Sequence, residues 1–322
     1  SSQVYAWDKG GRSKSLKNPA YGVHDWLAES SLNLLPKTDE RGEPSSRYDW
    51  LRNNLSSFLI GTEAPDNATI AKKFFGRKRK ELATPYGDPF RHHVYNPLEE
   101  RIEDGLDDVG ARRAEEEFRK AIDALIAGDE RLAAFYAGAG IHYGEDCSNK
   151  GHTTPDEYAR DHEAFESAVG RTITATSLRD VVRQSTTFQQ FMPVTSPLEV
   201  LSGYDATMRI ARRAFESKGT VVDGEQQLLP FDDETGNYVG CDGWSREYIE
   251  EVGGTLGYAV EQLSSVLHTI TMRAEASRIT TANISQERST TASLSAVDSS
   301  GMLLLKHLPT NSDPDSTQEP RD

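Results

Sequence analysis

Residues 130–146, ERLAAFYAGAGIHYGED, constrain this chain more than any other stretch. Apolar residues mixed with Ala and Gly are the composition of a buried helix that its neighbours approach closely. Yet this segment ends on His142 and Asp146, four residues apart and so on one face of a helix. A carboxylate buried there without a partner is costly. Imidazole nitrogen and carboxylate oxygen are both metal donors, and ligation removes that cost. The step recurs at His162 and Glu166, and His152 lies between the two pairs in CSNKGHTT. Five candidate donors thus fall within 25 residues. A single pair at this spacing is most often an exposed helix contact; the repetition and the apolar setting favour a metal cluster held between helices.

The rest of the chain predicts an all-α domain. Residues 22–35, 45–60, 110–127, 155–169, 196–217 and 244–268 all read as helices from apolar spacing and start signals. Gly128-Asp129 is expected to break one helix and cap the next. Strand signals are sparse, and 219–242, rich in Gly, Asp and Gln, reads as a long loop. From about 276 onward Ser, Thr, Asp and Pro dominate, which predicts a low-order polar tail. The expected organisation is an N-terminal extension (1–6), one multi-helix domain (7–275) and the tail (276–322).

The net charge of -15 speaks against a broad electrostatic grip on nucleic acid or anionic lipid. An anionic substrate then needs a local cation, either metal ions or the basic run Lys72, Lys73, Arg77, Lys78, Arg79 and Lys80. Two cysteines, Cys147 and Cys241, exclude a disulfide framework and a cysteine-rich zinc module. No apolar run is long enough to span a membrane. Val4-Tyr5-Ala6 before Trp7 has the small or aliphatic pattern of a signal-peptidase site, which sets the expectation of a secreted protein trimmed to Trp7.

The run FYAGAGIHYGEDCSNKGH, followed by HEAFE, resembles the zinc-dependent phospholipase C family, whose superfamily includes zinc-dependent single-strand nucleases. The resemblance extends to His24 in GVHDWL, Asp66 in GTEAPD and His93 in HHVYNP, with His92 as the alternative one residue away. It implies up to three zinc ions. Asp66, His93, His142 and Asp146 would hold the first, and His152, His162 and Glu166 the second. Trp7, His24 and a bridging Asp146 would hold the third, with Trp7 acting through a freed amino terminus. Asp66 would also orient or deprotonate the attacking water. Phe90 matches the family's pocket aromatic, whereas Gly10 and Asn67 stand where choline-preferring members carry an acid and an aromatic.

The resemblance therefore implies hydrolysis of a phosphate ester, first a phospholipid head group. A single-strand nuclease or phosphomonoesterase is the second expectation, with Tyr86, Phe90 and Tyr95 available for stacking. A metal-stabilised binding protein without turnover is the third.

Overall fold

The computed structural model describes residues 15–16, 20–76, 86–87, 91–154, 162–173, 185–217, 220–222, 225–227, 231–232, 237–238 and 241–305. In chain order the helices are α1 (Val23–Asn33), α2 (Asp49–Arg52), α3 (Leu55–Glu63), α4 (Ala68–Phe75) and α5 (Val109–Ile126). They continue with α6 (Glu130–Asp146), α7 (His162–Gly170), α8 (Gly203–Glu216) and α9 (Arg246–Leu305). The chain divides into two compact units, Ser1–Glu275 and Ala276–Asp322. The site described below lies in the first. No helix among the described residues is long and apolar enough to cross a membrane.

Helix α6 is the axis of the fold. Gly128 takes a positive φ of 82° and stops α5; Asp129 then accepts a hydrogen bond from the Leu132 amide and caps α6. Every residue of α6 from Ala133 to Asp146 is buried. Small residues make that tolerable. A Cβ on Gly138 would lie 2.0 Å from the Phe58 carbonyl oxygen of α3, and one on Gly61 would lie 2.1 Å from the Phe135 carbonyl oxygen of α6. The two helices therefore touch backbone to backbone through reciprocal glycines. This contact carries α3 and its C-terminal turn up to the polar end of α6.

Two apolar clusters flank α1. Ala28, Leu32 and Leu35 join the large core with Phe58, Phe118, Phe135 and Leu263. Val23, Trp26 and Leu27 join a second core with Phe165, Phe188, Trp244 and Leu256. Helix α9 buries Leu256, Val260, Leu263, Leu267, Ile270 and Ala274, a stripe at helical spacing. Trp50 Nε1 donates to Thr271 Oγ1 at 3.0 Å and ties α2 to α9.

Several sequence expectations change. Residues 45–60 form two helices, because Asn54 Nδ2 donates to the Trp50 carbonyl, the acceptor a continuous helix would give to the Asn54 amide. Within 196–217 only Gly203–Glu216 is helical; Pro193 and Pro197 lie in the segment before it, and Ser202 supplies the cap. The stretch 219–242 contains two short antiparallel hairpins, Thr220–Val222 with Glu225–Gln227 and Phe231–Asp232 with Asn237–Tyr238. Residues 276–305, expected to be low in order, continue α9; no Pro interrupts them.

Candidate metal centre

Four side chains from different parts of the chain converge at the C-terminal end of α6. His142 and Asp146 come from α6 itself, Asp66 from the turn after α3, and His92 from the segment before α5. His92 Nδ1 lies 2.9 Å from Asp146 Oδ2 and 3.0 Å from His142 Nε2. His142 Nε2 lies 3.0 Å from Asp146 Oδ2. Asp66 Oδ1 lies 3.5 Å from His92 Nδ1 and 3.6 Å from His142 Nε2. A tetrahedral zinc with donors about 2.0–2.2 Å away needs those donors roughly 3.3–3.6 Å apart. The separations of 2.9–3.6 Å here are close to that edge length.

Proton placement makes the case sharper. His142 Nδ1 is 2.7 Å from the Thr62 carbonyl oxygen, which only accepts, so Nδ1 carries the hydrogen. His142 Nε2 is then the nitrogen that faces the Asp146 carboxylate and His92 Nδ1, 3.0 Å from each, and without its proton it would offer a lone pair to a cation there. A backbone carbonyl behind a ligating histidine is also the usual way its metal-facing nitrogen is fixed.

The surroundings are strongly anionic. Asp25, Glu63, Glu145, Asp146 and Glu166 are all at or below 1% exposure. Burying so many carboxylates costs several kcal/mol each by order of magnitude unless cations compensate. Burial opposes ionisation of Asp146, yet His142 and His152 nearby, with hydrogen bonds from His142 and His92, hold its carboxyl well below the usual range.

His24, on α1, borders the same cluster. Its ring stacks on His142 at 4.0 Å, and its Nε2 lies 3.4 Å from Asp146 Oδ1, which has no hydrogen-bond partner among the described residues. Its Nδ1 is 2.6 Å from Glu145 Oε2. A further pair lies at the loop after α6. His152 Nε2 is 3.1 Å from Glu166 Oε1, and Asn149 Nδ2 donates to the same oxygen at 3.0 Å.

The histidine in the four-donor group is His92 and not His93. Three backbone bonds decide this. Val94 N donates to the His152 carbonyl at 2.9 Å, Gly110 N to the His93 carbonyl at 2.8 Å, and Tyr95 N to the Asp107 carbonyl at 2.8 Å. A Cβ on Gly110 would come within 2.8 Å of the His93 oxygen, so glycine permits the approach. Pinned this way, His93 turns outward, stacks on Tyr95 at 3.9 Å and meets Asp107 Oδ2 at 2.9 Å. Asn67 has a structural role in the turn between α3 and α4. Its amide oxygen accepts from the Thr69 and Ile70 amides and its Nδ2 donates to Glu63 Oε1 at 2.6 Å, so it caps α4 in the interior. Trp7, Phe90 and the His162 side chain lie outside the described residues. Sequence reasoning passed over Glu145, although GED places a second acid directly beside Asp146.

Both cysteines are free and buried, and burial pushes the Cys241 thiol up to about 12 and Cys147 well above its ordinary value. Neither offers a thiolate to a metal near neutral pH.

Burial pushes His152 down to about 4, from an ordinary imidazole value near 6.5. In the zinc-free protein the folded state then binds fewer protons than the unfolded chain between these values. Stability is full above about pH 6.5 and falls by about 3 kcal/mol as acid approaches pH 4. Urea unfolding of chelator-treated protein at about pH 7 and about pH 5 should show the loss, and His152→Gln should flatten it. An equally steep loss in the variant would assign the effect elsewhere.

A family model described as zinc dependent phospholipase C matches residues 23–203, more than half of the 322 residues. No curated protein sequence matches the chain. Among solved structures, the alpha toxin from Clostridium absonum superposes with a TM-score of 0.50 at 14% identity, covering 83% of this chain and 66% of the toxin. The Clostridium perfringens alpha-toxin from avian strain SWCP gives a TM-score of 0.46 at 13% identity, covering 79% of this chain and 64% of that one. This chain thus spans just under two thirds of either toxin's length, and the C. absonum likeness concerns the all-α fold.

Proposed function

This chain belongs to the zinc-dependent phospholipase C family, and from that premise we propose that it hydrolyses phosphate esters, foremost the head-group ester of a phospholipid. The observation that carries this reading is the convergence of Asp66, His92, His142 and Asp146, with donor atoms 2.9–3.6 Å apart, inside a buried, acidic cluster. Asp66, His92, His142 and Asp146 would hold one zinc. His152 and Glu166, with His162, would hold a second. His24 and the free oxygen of Asp146 would hold a third, which Trp7 completes in the family's pattern. Zinc bound there supplies charge neutralisation for phosphate oxygens and acidifies water.

The chain's own residues divide the remaining work. His24, His142 and Asp146 are fully buried, whereas the Asp66 side chain keeps 17% exposure. Asp66 is therefore the donor that incoming water and substrate reach, and it orients or deprotonates the attacking water. Asp66→Asn should lower kcat about 10²-fold or more while changing KM little, the signature of an interaction made in the transition state. Steady-state kinetics on a soluble phosphodiester checks this, and equal losses in both constants would remove that role from Asp66.

The substrate class is tested by one zinc-supplemented assay of phosphatidylcholine and phosphatidylglycerol micelles against single-stranded DNA, using chain that begins at Trp7. Diacylglycerol release is expected. Cleavage of DNA alone would move the protein to the nuclease branch. Zinc binding without turnover of any substrate would make it a binding protein. Extracellular action belongs to the same proposal, and a native amino terminus other than Trp7 would count against the trimming it includes.

A further inference from the structure

We infer that Glu145 is a positioning carboxylate, which sets the tautomer and the donor strength of His24. The inference rests on the zinc reading above and assigns a residue that the family resemblance did not bring in. Glu145 precedes Asp146 on α6 and is fully buried. Its Oε2 lies 2.6 Å from His24 Nδ1, across 121 residues of sequence. A carboxylate accepts, so Nδ1 carries a hydrogen and Nε2 is the nitrogen left to serve as a metal donor. His24 Nε2 faces Asp146 Oδ1 at 3.4 Å. The ring has little freedom to turn, because it stacks on His142 at 4.0 Å with an interplanar angle of 24°.

The two stacked histidines are therefore held from behind by different acceptors. The Thr62 carbonyl holds His142, and a carboxylate holds His24. A carboxylate raises the basicity of the imidazole it binds more than a carbonyl does, and losing such a partner typically costs 10–100-fold in metal affinity. Glu145 thus strengthens His24 as a donor at the Asp146 Oδ1 side of the cluster.

Zinc affinities measured by chelator competition, together with metal content by mass spectrometry, test this in the full chain. His24→Ala first defines which bound ion depends on His24. Glu145→Gln should then weaken that ion 10–100-fold and leave the ion at Asp66, His92, His142 and Asp146 within about 3-fold. Adding His24→Ala to Glu145→Gln should cost little more. Unchanged affinity for the His24-dependent ion in Glu145→Gln would overturn the inference. So would a His24→Ala protein that binds as much zinc as wild type, and the four-donor centre would survive that result. Wild-type protein that binds no zinc would overturn the function reading as well. Histidine 15N spectra of the unsubstituted zinc-free protein read the tautomer without any variant. A His24 ring with its hydrogen on Nδ1 is expected, and one with its hydrogen on Nε2 would overturn the assignment.

Discussion

Asp146→Asn should abolish zinc binding at the four-donor centre and lower phosphate-ester turnover by about 10³-fold or more. Both of its carboxylate oxygens face histidines of the cluster. Oδ2 stands 2.9 Å from His92 and 3.0 Å from His142, and Oδ1 faces His24 at 3.4 Å. Asparagine keeps the shape but removes the charge and puts an amide group at one of the two positions. Lewis-acid stabilisation by a bound metal is worth several kcal/mol of transition-state energy, and each 1.36 kcal/mol is tenfold in rate. Kinetics and metal content of the purified variant decide the matter. A variant that keeps its zinc and more than about a tenth of its activity would remove Asp146 from the centre.

Gly138→Ala should be among the most damaging single methyl groups that can be added to the described residues. The added carbon would stand 2.0 Å from the Phe58 carbonyl oxygen and 3.0 Å from the Thr62 amide. Both neighbours are backbone, so α3 and α6 must separate. Overpacking of this kind costs about 3 kcal/mol or more, which for a domain of this size lowers Tm by about 10 °C. The same separation pulls the Thr62 carbonyl from His142 Nδ1, now 2.7 Å away, and so loosens the metal centre. Gly144→Ala is the control. Its nearest neighbour, at 2.7 Å, is the Leu263 Cδ2 methyl, the end of a flexible side chain that can give way. Calorimetry of both variants should therefore show a large drop for the first and a small one for the second. Equal drops would mean that the α3–α6 contact is not the tight point of the fold.

What the sequence made legible follows from how local each signal is. The His142 and Asp146 pair needs only a helix to bring its two side chains together, and the small-residue composition of α6 announces close packing. The exclusion of a membrane-spanning helix and the all-α class rest on similarly local patterns. His92 against His93 is different in kind. Adjacent residues are alike in composition, and the choice depends on bonds from Val94 to His152 and from Gly110 to His93, which join distant parts of the chain. Glu145 escaped notice for the same reason, since its partner His24 lies 121 positions away. Asn67 is a local case. It stands where choline-preferring family members carry an aromatic, and its role as the cap of α4 follows from the preference of Asn for that site. The break at Asn54 was also locally encoded, in an amide that takes the Trp50 carbonyl from the helix.

The most direct test of a metal centre built from Asp66, His92, His142 and Asp146 is a comparison of neighbours. His92→Ala and His93→Ala differ by one position in sequence but stand on opposite sides of the chain. Zinc affinity of each variant should be measured by competition with a chromophoric chelator. His92→Ala should lose the ion of the four-donor centre, while His93→Ala should bind it as wild type does. Loss in His93→Ala with retention in His92→Ala would contradict the centre described here.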